Sequence, residues 1–166
     1  MGEILWSELT SGLPDQNELA HVLVRLLAAV LLGAAVGWQR ERAGKAAGLR
    51  THILVALGTT LFVLAASGSG MSPDGVSRVI QGIASGIGFI GAGAILKLSA
   101  SREIQGLTTA AGIWMTAAIG VAVGLGGLGL ALLGTILTWA ILASIGLWEK
   151  RLESGLTETP PEEKQN

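Results

Sequence analysis

Residues 85–93, SGIGFIGAG, place Gly86, Gly88 and Gly91 at the spacing G-x-G-x-x-G. That spacing can cradle a dinucleotide pyrophosphate when a strand precedes it, a helix follows, and an acid stands about 20 positions further on. Here the glycines lie inside an apolar run, and the positions about twenty further on fall in a polar connection. A second literal match, at Gly124, Gly126 and Gly129, falls in a break between apolar segments. In a chain with 25 glycines the pattern is weak, and no nucleotide site is expected.

Other residues have chemical capacity. Arg25 lies about two turns inside the first apolar stretch, where an Arg costs roughly 2.5–3.5 kcal/mol on insertion scales. It reads either as a snorkelled or ion-paired structural residue or as a functional polar site. Arg78 opens the third stretch, with Asp74 one turn earlier as a partner and Gln81 on the same face. Glu41, Arg50, Thr51 and His52 border the second stretch, where Thr51 is a candidate N-cap, and Thr108 and Thr109 open the fourth. His52 has no second His, Cys or acid at ligand spacing, so no metal or cofactor is expected there. No Asp or Glu lies within any apolar stretch, and carboxylates are what Mg²⁺ sites and proton relays favour. There is no Cys and no nucleophile–base arrangement, so an enzyme is not expected.

The elements that would position these residues are membrane helices. Half of the 166 residues are apolar and only 14% are charged, against roughly a quarter in a soluble domain. Mean hydropathy is +0.59. Five apolar stretches, 19–38, 51–67, 79–98, 107–123 and 126–148, approach the ~20 residues needed to cross a ~30 Å hydrocarbon core. Gly124–Gly127 reads as a tight turn between the last two. The pattern predicts an all-α bundle of five transmembrane helices, because in lipid the backbone must satisfy itself.

Nine Lys and Arg (Arg40, Arg42, Lys45, Arg50, Lys97, Arg102, Lys150, Arg151 and Lys164) fall on one side of this arrangement, and Arg78 alone on the other. The asymmetry puts the N-terminus outside and the C-terminus in the cytoplasm, with Trp38 and Trp148 at the cytoplasmic boundary. In its simplest role, the basic 40–50 loop is a topology determinant facing anionic lipid. Residues 1–18 form an extracytoplasmic leader without signal-peptide features, read either as an interfacial helix or as a loose polar segment. Residues 19–148 form the membrane domain. Residues 149–166 read as a cytoplasmic tail, expected to be disordered.

The glycines then acquire a packing role, because small residues let membrane helices approach closely. Gly33 and Gly37, Gly82 and Gly86, and Gly120 and Gly124 each stand four apart. With Gly88, Gly91 and Gly93 they leave the third stretch bare on several faces, which places it at the centre of the bundle. The rival reading is an unwound segment lining a cavity. Spare small-residue faces predict a homodimer through Gly33 and Gly37 or through Gly127 and Gly134, against a monomer that uses its glycines internally. The expected partners are membrane lipid, a second copy and, as a further option, another membrane protein, with no nucleic acid.

Three ordered stretches resemble the MgtC/SapB family signature: VGWQRERAGKAAGLRTHILVALG at 36–58, RVIQGIASGIGFIGAGAIL at 78–96 and QGLTTAAGIWMTAAIGVAVG at 105–124. The resemblance covers about 19–148 and corresponds to a short form lacking the family's C-terminal soluble domain. It implies a multi-pass protein of the bacterial inner membrane linked to magnesium limitation and stress. It carries over Glu41, Gly48, Arg50, Thr51, His52, Gly86, Gly88, Gly91, Gly93, Gly106, Thr108 and Thr109. Two functions follow: a regulatory or interaction protein working through helix contacts, or a transporter of an ion or small solute along a polar path near Arg25, Arg78 and Thr108.

Overall fold

A computed structural model describes residues 1–11, 15–98 and 103–156, as six helices and one small hairpin. The helices are α1 (Gly2–Ser11), α2 (Gln16–Arg42), α3 (Leu49–Gly68), α4 (Pro73–Gly93), α5 (Leu107–Gly124) and α6 (Leu128–Leu156). Of these, α2, α3 and α5 are long and apolar enough to cross a membrane. The helix starts are written in local chemistry. The Asp15 carboxylate accepts from the Glu18 N–H, and the Ser72 hydroxyl accepts from the Gly75 N–H just ahead of a proline at the start of α4.

Two boundaries differ from the sequence expectation. The third apolar stretch does not continue as helix to residue 98. Helix α4 ends at Gly93, and β1 (Leu96–Leu98) pairs antiparallel with β2 (Glu103–Gln105), Lys97 opposite Ile104. Both triplets alternate apolar and polar residues, a period-two pattern, and α4 closes on glycines that hold a helix weakly. Gly106, at φ +96°, turns the chain from β2 into α5; a Cβ there would overlap the Ala94 carbonyl oxygen. At the other limit, α6 runs to Leu156 instead of stopping near Trp148, through Glu149-Lys-Arg-Leu-Glu153, all good helix formers. The remainder of the expected tail, 157–166, lies outside the described residues. Helix α1 exposes Ile4, Leu5 and Trp6.

The centre of the bundle is α5, not α4. Helix α5 touches α2, α3, α4 and α6. Of its apolar window 50% is buried, against 33% for α3 and 17% for α2. Its buried residues, among them Gly112, Thr116, Gly120 and Gly124, form one broad stripe of roughly 160° around the helix, wide enough to meet several neighbours. The glycine contacts divide accordingly. A Cβ on Gly33 would lie 2.8 Å from the His52 carbonyl oxygen, and one on Gly37 would lie 2.7 Å from the Leu49 Cα, so α2 and α3 meet backbone to backbone. One on Gly124 would lie 2.6 Å from the Val63 Cβ, closing α3 on α5. Gly91 makes ordinary contact with Ala110. At Gly82, Gly86, Gly88 and Gly93, however, an added Cβ meets nothing within 4 Å. These glycines do not seat α4 at the centre, because none of them is in close contact with a neighbouring helix. Ala29, Val36, Ala56, Ile119, Val123 and Ala131 form the main apolar core between α2, α3, α5 and α6.

Candidate functional site

The end of α2, the 43–48 loop, the start of α3 and the start of α5 converge at one end of the bundle. The loop turns at Gly44, φ +65°, and its six residues, 43–48, join α2 to α3. Thr51 is not the cap of α3. The capping residue is Gly48, which has no side chain to offer, and the Glu41 carboxylate reaches across the loop instead: its Oε2 accepts from the Leu49 N–H at 2.7 Å. A carboxylate over a helix N-terminus also meets the positive end of the helix dipole. A Cβ on Gly48 would lie 2.7 Å from that oxygen, so a glycine leaves the room for it. Loss of this cap in Glu41→Ala is expected to cost about 1 kcal/mol, read as a fall in unfolding free energy of the purified protein in mixed micelles. An unchanged midpoint would remove Glu41 from the capping role.

Beneath the cap lies a buried polar cluster. Arg40 is 3% exposed, and its Nη2 donates to the Thr109 hydroxyl oxygen at 2.9 Å, tying α2 to α5. His52 is fully buried between Gly37 of α2 and Gly112 of α5. Its Nδ1 lies 2.9 Å from the Gly48 carbonyl oxygen. A carbonyl only accepts, so Nδ1 carries the proton, and Nε2 of the neutral ring is left as an acceptor. Among the described residues no hydrogen-bond partner reaches that Nε2, nor the Nε of Arg40, nor the Oε1 of Gln39, and all three atoms are buried. Such orphaned groups are costly where they are not part of a site. At the protein surface, the Arg42 guanidinium stacks 4.7 Å from the centre of the Trp38 ring.

The candidate residues separate into groups. Glu41, His52 and Thr109 join one cluster. Arg50 is exposed and Thr51 half-buried, one helix face away, at the mouth of a groove between α3 and α4. Thr108 is exposed beside Thr109. Arg25 stands at the far end of α5, an 18-residue helix and therefore about 27 Å away. Its Nη1 donates to the Gly124 carbonyl oxygen at 3.0 Å, and its guanidinium packs on Gly126, which turns at φ +86°. A cation on the last carbonyls of a helix is a C-terminal cap, so Arg25 has a structural bond. Arg78 and Gln81 are exposed near the start of α4. Arg25, Arg78 and Thr108 are thus not gathered into one site.

The sequence pattern alone did not single out Arg40, which stands among the loop charges. The available signal was its place in the last turn of α2, one helical turn past Gly37 and on the same face. Nor did it single out the threonines. Thr60 donates to the Gly120 carbonyl oxygen at 2.8 Å across α3 and α5, while Thr59, Thr116 and Thr135 donate to carbonyls of their own helices. In a bilayer interior this is how a hydroxyl is satisfied. No cluster of three or more His, Cys, Asp or Glu occurs among the described residues.

An all-helical bundle with membrane-length apolar helices, joined by close glycine contacts and internally bonded threonines, defines a membrane helix-bundle protein. The chain belongs to the MgtC family, whose sequence model matches residues 26–151. It is 44% identical over 149 residues to Protein SrpB of Synechococcus elongatus, covering 83% of this chain and 80% of that protein. It is 41% identical over 133 residues to the Putative magnesium transporter YhiD of Escherichia coli K12, covering 74% of this chain and 60% of that one. Protein MgtC of Salmonella typhimurium is 46% identical over 115 residues, 69% of this chain. The chain spans only 48% of that relative's length. No solved structure matches the chain.

Proposed function

We propose that the chain is a five-span protein of the bacterial inner membrane that acts by contact with other membrane components, in a regulatory role linked to magnesium limitation and stress. The observation that carries this reading is the closed interior. Helices α2, α3 and α5 meet at backbone distance through Gly33, Gly37, Gly120 and Gly124, and the buried threonines spend their hydroxyls on carbonyls. That leaves little polar surface along the axis for a solute. The lysine and arginine asymmetry supports an outside N-terminus and a cytoplasmic C-terminus. Small-residue faces support a homodimer, through Gly33 and Gly37 or Gly127 and Gly134, although the first pair is occupied by α3 within one chain.

A second reading, transport, draws on the orphaned Nε2 of His52, Nε of Arg40 and Oε1 of Gln39, and on the name of the Escherichia coli relative. Flux through proteoliposomes of the purified chain, with and without a Mg²⁺ gradient, separates the two. The contact reading expects flux at the level of protein-free vesicles. Saturable flux abolished by His52→Ala would overturn it. A reporter fused after Asn166 tests the orientation: activity on the periplasmic side would sink the five-span arrangement.

A further inference from the structure

A groove of about 820 Å³ runs between α3 and α4, from Arg50 and Thr51 at one mouth past Gly82 and Gly86 to Phe62. Apart from that mouth its lining is almost wholly apolar. We infer that this groove binds the acyl chains of an anionic phospholipid, with the lipid phosphate held at Arg50.

Two features select this occupant. The first is charge. Arg50 is exposed, with no hydrogen bond or ion pair from another described residue. The neighbouring acid, Glu41, has an oxygen committed to the Leu49 N–H. A basic residue beside Thr51, at the polar end of an otherwise apolar trough, matches a molecule with an anionic head and hydrocarbon tails. The second is depth. Twelve residues separate Arg50 from Phe62, about 18 Å of helix, close to the ~15 Å of hydrocarbon in one leaflet of a ~30 Å core. A helix from a second copy would follow both leaflets. Gly82 and Gly86 give the trough its floor, since no atom lies within 4 Å of where their Cβ atoms would stand. The glycines of the second family stretch, 78–96, which pack against nothing within the chain at these two positions, here acquire a partner.

The test is native mass spectrometry of the full chain, released from micelles of equal phosphatidylglycerol and phosphatidylcholine. Phosphatidylglycerol adducts are expected to exceed phosphatidylcholine adducts by about fivefold, the equivalent of one favourable Lys or Arg contact at a membrane surface. Arg50→Gln is expected to bring the ratio to about one, and Gly82→Leu with Gly86→Leu to reduce both adducts. Those leucines extend into open space and leave the fold intact, which far-ultraviolet circular dichroism checks. Soluble glycerol phosphate is expected not to displace the lipid, because the tails hold it. Equal retention of the two lipids by the parent chain would overturn the inference. So would a photo-crosslinker at Phe62 that captures a second chain instead of lipid.

Discussion

Gly120→Ala is expected to lower the unfolding free energy by about 1–3 kcal/mol, and Gly120→Leu to prevent the bundle from assembling. The reason is geometric. A methyl at Gly120 would overlap the Thr59 hydroxyl and stand 2.5 Å from the Ala56 carbonyl oxygen. The hydroxyl could rotate, but the carbonyl belongs to the backbone of α3, so the two helices must part. Parting also stretches the bond from the Thr60 hydroxyl to the Gly120 carbonyl oxygen, which links the same helices. Gly86→Ala is the control. It adds the same methyl where nothing lies within 4 Å, and is expected to fall within about 0.5 kcal/mol of the parent. Unfolding titrations in mixed micelles followed by circular dichroism would check both. If Gly120→Ala matched the parent, or Gly86→Ala were the more damaging, α5 would not be the central helix.

The second large effect is expected at the Arg40–Thr109 bond. Thr109→Val keeps the shape of the side chain and removes the acceptor, leaving a guanidinium that is 3% exposed with one fewer partner. A hydrogen bond to a charged group contributes about 1.5–3 kcal/mol, and the loss should fall in that range. Arg40→Met removes the charge itself, and with it the need for Thr109, whose hydroxyl can turn to a carbonyl of its own helix. The double variant Arg40→Met with Thr109→Val is therefore expected to be more stable than the sum of the two losses predicts, by about 1–2 kcal/mol. Additivity within experimental error would mean that Arg40 does not depend on Thr109. The same variants bear on function: if the cluster is structural, a stability loss without a change in lipid retention is expected, because Arg50 faces the groove and Arg40 does not.

Much of this architecture is carried by local patterns. The apolar runs specify the helices, since a segment with nearly no charge and no competing acceptor must bond its own backbone. The Gly-Leu-Gly-Gly run ends α5, because a residue with φ +86° belongs at Gly126. The family signature stretches place Glu41, His52 and Thr109 among the residues of interest, and the structure gathers them although 68 positions separate the first from the last. What the pattern does not carry is the direction in which each small residue faces. Gly82-x-x-x-Gly86 and Gly120-x-x-x-Gly124 read alike as sequence, yet the first pair lines an open groove and the second is pressed against α3. A glycine has no side chain to record its environment, so only the arrangement of neighbouring helices decides between close contact and empty space. Charge is ambiguous for the same reason. Arg40 and Arg50 both border the same loop, and either could be a surface topology signal. The crossing of α2 over the start of α5 buries Arg40 against Thr109, and the divergence of α4 from α3 leaves Arg50 exposed at the mouth of an apolar trough.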